Sequence, residues 1–276
     1  MPRTTPTDGL DLPRIGFGTA MLKGQHGART VASALRAGYR LVDSAFNYEN
    51  EGAVGTAVRG SGVPRDEVIV TSKLPGRHHA HDAALEAVQE SVYRTGLEHL
   101  DLYLVHWPNP SQGRYVEAWE ALIEARGRGL VRAIGVSNFL PEHIDRLVEA
   151  TGVVPAVNQV ELHPYFPQEE QRAYDASLGI VTEAWSPIGR ADEMLQDPVL
   201  VGIADARGLS VPEVILAWHA RLGVLPLPKA TAPERQRQNL DAVNLTLSDD
   251  DMDAIASLAR ADGRNNDQDP AVYEEF

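Results

Sequence analysis

The sequence predicts an α/β chain folded as a single (β/α)8 TIM barrel, a ring of parallel strands inside a ring of helices. Three observations carry that expectation. Short apolar, β-branched runs alternate with amphipathic stretches at roughly 30-residue spacing, the pattern of parallel strands joined by helical crossovers. Eight strand-like runs occur, at 14–18, 39–43, 67–73, 100–106, 131–137, 156–161, 180–185 and 224–228. The length, 276 residues, is close to that of one such barrel. An open doubly wound sheet calls for a Gly-rich phosphate loop after its first strand. Here Gly16-Phe17-Gly18-Thr19-Ala20 lacks the third glycine and does not run at once into a helix.

Taken in order, each unit shows a local reason for its form. The second run ends on Asp43 and the third on Lys73. A helix is expected at 83–94, where Leu85, Val88 and Val92 share one face. The next run, Leu102-Tyr103-Leu104-Val105, is almost continuously apolar, as a strand covered on both faces must be, and it ends on His106. Helix 115–126 leads to strand 131–137. Then come the candidate cap Asn138, the Phe139-Leu140 pair, and Pro141 in the first turn of helix 142–149. Strand 156–161, helix 169–178 closed by Gly179, strand 180–185, helix 212–221 and strand 224–228 complete the set. One more helix is expected within 244–260, opened by Ser248 with Asp249, Asp250 and Asp251 in its first turn, where the helix dipole favours negative charge. The polar stretch 263–276 is expected to be irregular, and with that helix to lie near the barrel mouth. No low-complexity linker divides the chain, so 1–276 is expected to be one domain.

Composition narrows the function. Apolar residues make up 43%, enough for a sizeable core. The net charge of −14 and pI of about 5.0 argue against a nucleic-acid or anionic-membrane partner. No cysteine is present, which excludes disulfides, thiolate catalysis and cysteine-based metal centres and fits a reducing cytoplasm. The first ten residues lack the apolar core of a secretory signal, and no run is long enough to span a bilayer.

In a barrel of this kind the site lies at the C-terminal ends of the strands. Those ends carry Asp43, Lys73, His106, Ser137-Asn138, Gln159 with Glu161, Trp185-Ser186 and Lys229, and Tyr48 follows Asp43 by five residues. Several ionisable groups converging there by accident is implausible, since each unpaired buried charge costs kilocalories. Together they make a carbonyl-polarising site. The ammonium of Lys73 favours the phenolate of Tyr48 and lowers its pKa. Asp43 holds the lysine, and His106 orients the substrate oxygen. A hydride donor is missing, and no side chain supplies one.

These residues resemble the aldo-keto reductase family. Gly38-Tyr39-Arg40-Leu41-Val42-Asp43-Ser44-Ala45 with Tyr48 and Asn50-Glu51 is similar to its first signature. Val70-Thr71-Ser72-Lys73-Leu74 and Asp101-Leu102-Tyr103-Leu104-Val105-His106-Trp107-Pro108 follow. Ile134-Gly135-Val136-Ser137-Asn138-Phe139 and Asn158-Gln159-Val160-Glu161-Leu162-His163-Pro164 complete the set in barrel order.

The resemblance implies a monomeric NADPH-dependent carbonyl reductase, with NADH as the weaker cofactor. It implies Tyr48 as general acid, Lys73 and Asp43 as its tuning pair, and His106 as the orienting group. Ser137, Asn138 and Gln159 are implied to bind the carboxamide, and Trp185 to stack on the nicotinamide. Gly18, Thr19 and Ser186-Pro187-Ile188-Gly189 fall to the cofactor as well, the latter loop wrapping the pyrophosphate. Lys229, Ala230, Thr231 and Arg235 surround the 2′-phosphate, with Gln238 and Asn239 at the adenine. Ala20, Met21, Asn47 and Trp107 are implied to wall the substrate pocket.

Three departures stand out. Ala230 replaces a usual serine and Gln238 a usual glutamate, which narrows the margin over NADH. Ala20 replaces a frequent tryptophan, which widens the pocket. The short loop after His106 and the segment Asp267-Gln268-Asp269-Pro270 resemble bacterial members that reduce diketo sugar acids and small dicarbonyls.

Each group also has a plainer reading. Asp43 and Lys73 taken alone are as readily a structural ion pair, and His106 or Trp185 alone is more often core. Trp107 reads first as a pocket wall, with packing under its loop as the plainer alternative, and Lys229 with Arg235 has the plainer reading of an ordinary solvated pair. His78, His79 and His81 lack a fixed carboxylate partner for a metal, the three aspartates at 249–251 are dipole chemistry, and His163 is structural. A cofactor-sensing barrel without turnover, and a barrel isomerase or metal-dependent hydrolase, remain as alternatives.

Overall fold

The computed structural model describes residues 10–189, 193–266 and 268–276. Its strands are β1 (Phe17–Gly18), β2 (Leu41–Asp43), β3 (Ile69–Leu74), β4 (Leu100–Val105), β5 (Val131–Ser137), β6 (Val157–Glu161), β7 (Val181–Trp185) and β8 (Leu225–Pro226). All neighbouring pairs are parallel, in the order β1 to β8. Backbone hydrogen bonds from Gly16 to the Pro226 carbonyl (3.0 Å) and from Gly18 to the Pro228 carbonyl (3.1 Å) join the last strand to the first and close the cylinder. This is the α/β (β/α)8 barrel that the alternating sequence pattern implied.

The seam explains two sequence features. A Cβ on Gly18 would stand 2.7 Å from the Leu227 carbonyl oxygen, so only glycine lets the strands meet there. Pro226 and Pro228 have no N–H to donate, yet the seam needs only their carbonyls, while Leu227 donates to Ala184 of β7 at 3.0 Å. The prolines also shorten β8 relative to the expected 224–228, and β1 likewise falls short of 14–18.

The helices are α1 (Gly24–Ala37), α2 (Glu51–Gly60), α3 (His81–Thr95), α4 (Tyr115–Gly127), α5 (Pro141–Thr151), α6 (Glu169–Ser177), α7 (Pro198–Arg207), α8 (Val211–Leu222), α9 (Pro233–Ala242) and α10 (Asp249–Ala256). Two expectations change. Asn138 does not cap α5: Leu140 holds that position and Pro141 is the first helical residue. Asn138 instead ends β5 in a left-handed conformation (φ 63°), which asparagine tolerates better than most residues. The expected helix at 244–260 is shorter, yet Ser248 does cap it, its hydroxyl accepting from the Asp251 N–H at 3.2 Å.

Period-two alternation sorts the strands into two cores. Outward residues such as Val42, Val70, Tyr103 and Val105 pack under the helices with Trp119 and Leu35. Inward residues, among them Leu41, Ile69, Leu102, Leu104, Val157, Leu225 and Leu227, fill the barrel with Leu10 and Leu12. Continuing the inward parity along each strand leads from Leu41 to Asp43, from Ile69 to Lys73, from Leu104 to His106 and from Val157 to Gln159. The alternation that fills the barrel with leucines thus delivers polar groups to its upper layer. No helix among the described residues is long and apolar enough to cross a membrane.

Candidate active site

A cavity of about 630 Å3 opens above that layer. Asp43 lines its floor and Lys73 lies beneath it, 4% and 0% exposed. The Lys73 ammonium donates to both Asp43 oxygens (2.7 and 2.8 Å) and to the Ser44 carbonyl (2.8 Å), so three acceptors account for its three protons. Burial alone pulls its pKa down, but the Asp43 carboxylate, then the Tyr48 phenol and Glu183, outweigh that and leave it above the ordinary lysine value.

Tyr48 reaches this floor from a loop that is pinned on both sides. It ends a short 3-10 turn, with its N–H bonded to the Ala45 carbonyl at 3.0 Å. Beyond it, Asn50 donates to the Thr19 carbonyl (2.8 Å) and accepts from Ser44 (2.6 Å), and buried Glu51 binds Ser72 and Arg94. The Lys73 nitrogen stands 5.1 Å from the centre of the Tyr48 ring. The phenol's pKa is raised, not lowered as the sequence suggested. Burial dominates, and the pull of Lys73, offset in part by Asp43, does not overcome it. The phenol therefore holds its proton.

His106 faces Tyr48 edge-on, with ring centroids 6.2 Å apart. Its Nδ1 lies 2.8 Å from the Glu275 carboxylate, in ion-pair range but without the alignment of a hydrogen bond.

The cavity walls bring together most of the residues singled out from the sequence. Gly18, Thr19, Ala20, Trp107, Asn138, Gln159, Trp185, Ser186, Pro187, Ile188, Gly189 and Lys229 all line it. Several of their polar groups are already bonded within the protein. The Thr19 hydroxyl donates to the Asp43 carbonyl at 2.7 Å. The Asn138 amide donates to the His106 carbonyl and the Ser137 hydroxyl and accepts from the Trp185 indole (3.0, 3.0 and 2.7 Å), which sets the plane of that indole. The Ser137 hydroxyl donates to the Gln159 carbonyl. The Gln159 amide nitrogen donates to Asp43 and Glu183, both at 2.9 Å, which leaves its oxygen as the atom available to a ligand.

Other expected residues lie outside the cavity lining. Ser137 is buried behind it, and Asn47 binds Glu275 and Arg77. Met21 is 80% exposed, in a left-handed conformation. Ala230 is buried, Thr231, Arg235 and Gln238 are exposed, and Asn239 is buried on α9. Neither Lys229 nor Arg235 has a salt-bridge partner among the described residues.

An anionic dinucleotide fits this arrangement. Free cations follow β8, a half-buried indole is held in plane, and Gln159 offers an acceptor at the floor. No cluster of three or more metal-ligating side chains occurs among the described residues.

Three contributors were not foreseen. Glu183 lies under Gln159, fully buried, one oxygen without a partner, its pKa raised to about 7 chiefly by burial and then by Asp43. Its signal was a charge at mid-strand in β7. Tyr273 and Glu275 come from the polar tail, Tyr273 packing on Trp107 at 4.4 Å between ring centroids. Gln268 also lines the cavity, while Asp267 lies outside the described residues.

The model of the Aldo/keto reductase family matches residues 14–260. A 2,5-diketo-D-gluconic acid reductase B from Corynebacterium sp. (strain SHS752001) is 48% identical, over 100% of this chain and 99% of its own length. A morphine 6-dehydrogenase from Pseudomonas putida is 42% identical, over 98% of this chain and 96% of its own. Among solved structures, a Gox0644 mutant in complex with NADPH superposes with a TM-score of 0.92 at 39% identity, covering 98% of this chain and 97% of that one.

Proposed function

This chain belongs to the aldo/keto reductase family, and from that premise we propose that it reduces aldehydes, ketones and small dicarbonyls, with diketo sugar acids within its range, using Tyr48 as the general acid. It is an oxidoreductase that uses NADP(H). Reduced nicotinamide supplies the hydride, which no side chain can.

The protein's own part is to hold a proton and a carbonyl in place. Tyr48 keeps its proton until the carbonyl oxygen gains negative charge, because burial disfavours the phenolate. The fixed charge of Lys73 then eases the loss of that proton, since it favours the phenolate most when the phenolate forms. Asp43 keeps the ammonium charged and immobile. His106 orients the carbonyl against the phenol and sets which face is presented. Asn138 and Gln159 fix the carboxamide, Trp185 backs the ring, and Ser186 to Gly189 follow the pyrophosphate. Lys229 and Arg235 hold the 2′-phosphate and so favour NADPH over NADH. The barrel carries the tetrad within one chain, so a monomer suffices, and a cysteine-free acidic protein fits the cytoplasm.

One observation carries the reading: Asp43, Tyr48 and His106 line one end of one cavity and Lys73 lies bonded to Asp43 beneath it, four residues drawn from three successive strand-and-loop units. The test is Tyr48→Phe. Turnover of methylglyoxal with NADPH is expected to fall at least a hundredfold, while the dissociation constant for NADPH, read by fluorescence quenching, stays within about threefold. Normal turnover by the variant removes Tyr48 from the role of acid.

A further inference from the structure

Part of the cavity wall is the end of the chain itself, and it brings a charge. Glu275 is anchored through its backbone: its N–H donates to Asn109 Oδ1 at 3.2 Å and its carbonyl accepts from Asn109 Nδ2 at 2.7 Å. Its carboxylate accepts from Asn47 Nδ2 (2.7 Å) and from the Gly76 N–H (3.2 Å), and stands 2.8 Å from His106 Nδ1. The fit is close, since a Cβ on Gly76 would collide with Asn109 and with the Glu275 carbonyl. Burial favours the neutral acid, but His106, the Gly76 N–H and Asn47 together hold Glu275 below the usual carboxylate range, so it is an anion at neutral pH.

His106 offsets this charge whenever its ring is protonated; with the ring neutral, the other charges on the described lining do not offset it for a substrate. Asp43 is matched by Lys73, whose three protons already have acceptors. Lys229 belongs to the end of β8 and, in the reading above, to the cofactor phosphate. Arg77 binds Asn47 from outside and does not line the cavity. A carboxylate on a substrate held between Tyr48 and a neutral His106 therefore meets a fixed anion and, among the described residues, no free cation beside it.

We propose that Glu275 is a specificity-determining residue whose carboxylate makes the site favour neutral carbonyl compounds over 2-oxo acids of the same size. This rests on the reductase reading above and narrows it, moving diketo sugar acids away from the front of the range.

The experiment compares pyruvate with methyl pyruvate, which share one ketone and differ in charge. The ratio of their kcat/KM values with NADPH is measured for the wild type, Glu275→Gln and Glu275→Asp, with melting temperature and NADPH affinity followed in parallel. The ratio cancels intrinsic reactivity between variants, and a loosened tail moves both substrates alike. In Glu275→Gln the ratio is expected to rise at least tenfold toward pyruvate, and in Glu275→Asp to stay within threefold of wild type. Should Glu275→Gln fail to fold, Glu275→Ala removes the same charge and is expected to shift the ratio the same way. A change below twofold in a folded charge-removing variant that still reduces methyl pyruvate overturns the inference and leaves the reductase reading intact. If the wild type reduces neither these compounds nor methylglyoxal, the reductase reading falls, and this inference with it.

Discussion

Replacing Asp43 by asparagine removes the only carboxylate that, among the described residues, contacts a lysine that is 0% exposed. Lys73 then keeps the Ser44 carbonyl and at most one oxygen from position 43, while its charge has no counterion in contact. Removing one partner of a buried pair costs about 3–5 kcal/mol. At roughly 2–4 °C per kcal/mol for a domain of this size, the melting temperature is expected to fall by roughly 10 °C.

The structure also predicts how pH modulates that loss. Glu183 is linked to Asp43 through the Gln159 amide, and Asp43 is one of the groups that push it up to about 7. Once Asp43 is neutral, Glu183 ionises more readily and can balance part of the Lys73 charge. The loss in Asp43→Asn is therefore expected to be larger at pH 5, where Glu183 is protonated, than at pH 8. The assay is denaturant unfolding of the wild type, Asp43→Asn, Lys73→Met and the double variant at both pH values. Because the double variant leaves no lone buried charge, it is expected to be more stable than the sum of the single losses implies, by about 2 kcal/mol or more. Strict additivity at both pH values would refute the claim that the two side chains stabilise each other as charges.

Two further outcomes follow from the same geometry. Lys229→Ala is expected to raise the KM for NADPH by about tenfold, near the 1.4 kcal/mol of one charge-assisted contact, and that for NADH by less than twofold; equal effects in steady-state kinetics reject the 2′-phosphate contact. Glu183→Gln tests the buried carboxyl. Its folded pKa of about 7 lies above the ordinary 4.5, so the stability it contributes is complete below pH 4.5 and is lost as pH rises through 7. The wild type therefore loses up to about 3 kcal/mol from this group, at 1.36 kcal/mol per pKa unit. The melting temperature of Glu183→Gln relative to wild type is expected to climb from pH 5 to pH 8, and a constant difference would show that Glu183 does not titrate there.

The sequence by itself determined what depends on local period. Burial on both faces makes a strand a continuous apolar run, so β4 and β5 are readable, β5 to the residue. Where such a run ends on Asp43, Lys73 or His106, the polar residue at the tip is conspicuous for the same reason. The tertiary structure alone decided what depends on where distant segments land. Asn138 has the composition of a cap, but the strand end turns it toward the Trp185 indole. The net shift at Tyr48 depends on how much water the folded loop excludes, which no residue type encodes. Glu275 lies in a polar tail without period, and its meeting with His106, across 169 residues of sequence, is fixed by contacts at Asn109, Gly76 and Trp107 that exist only once the barrel has closed.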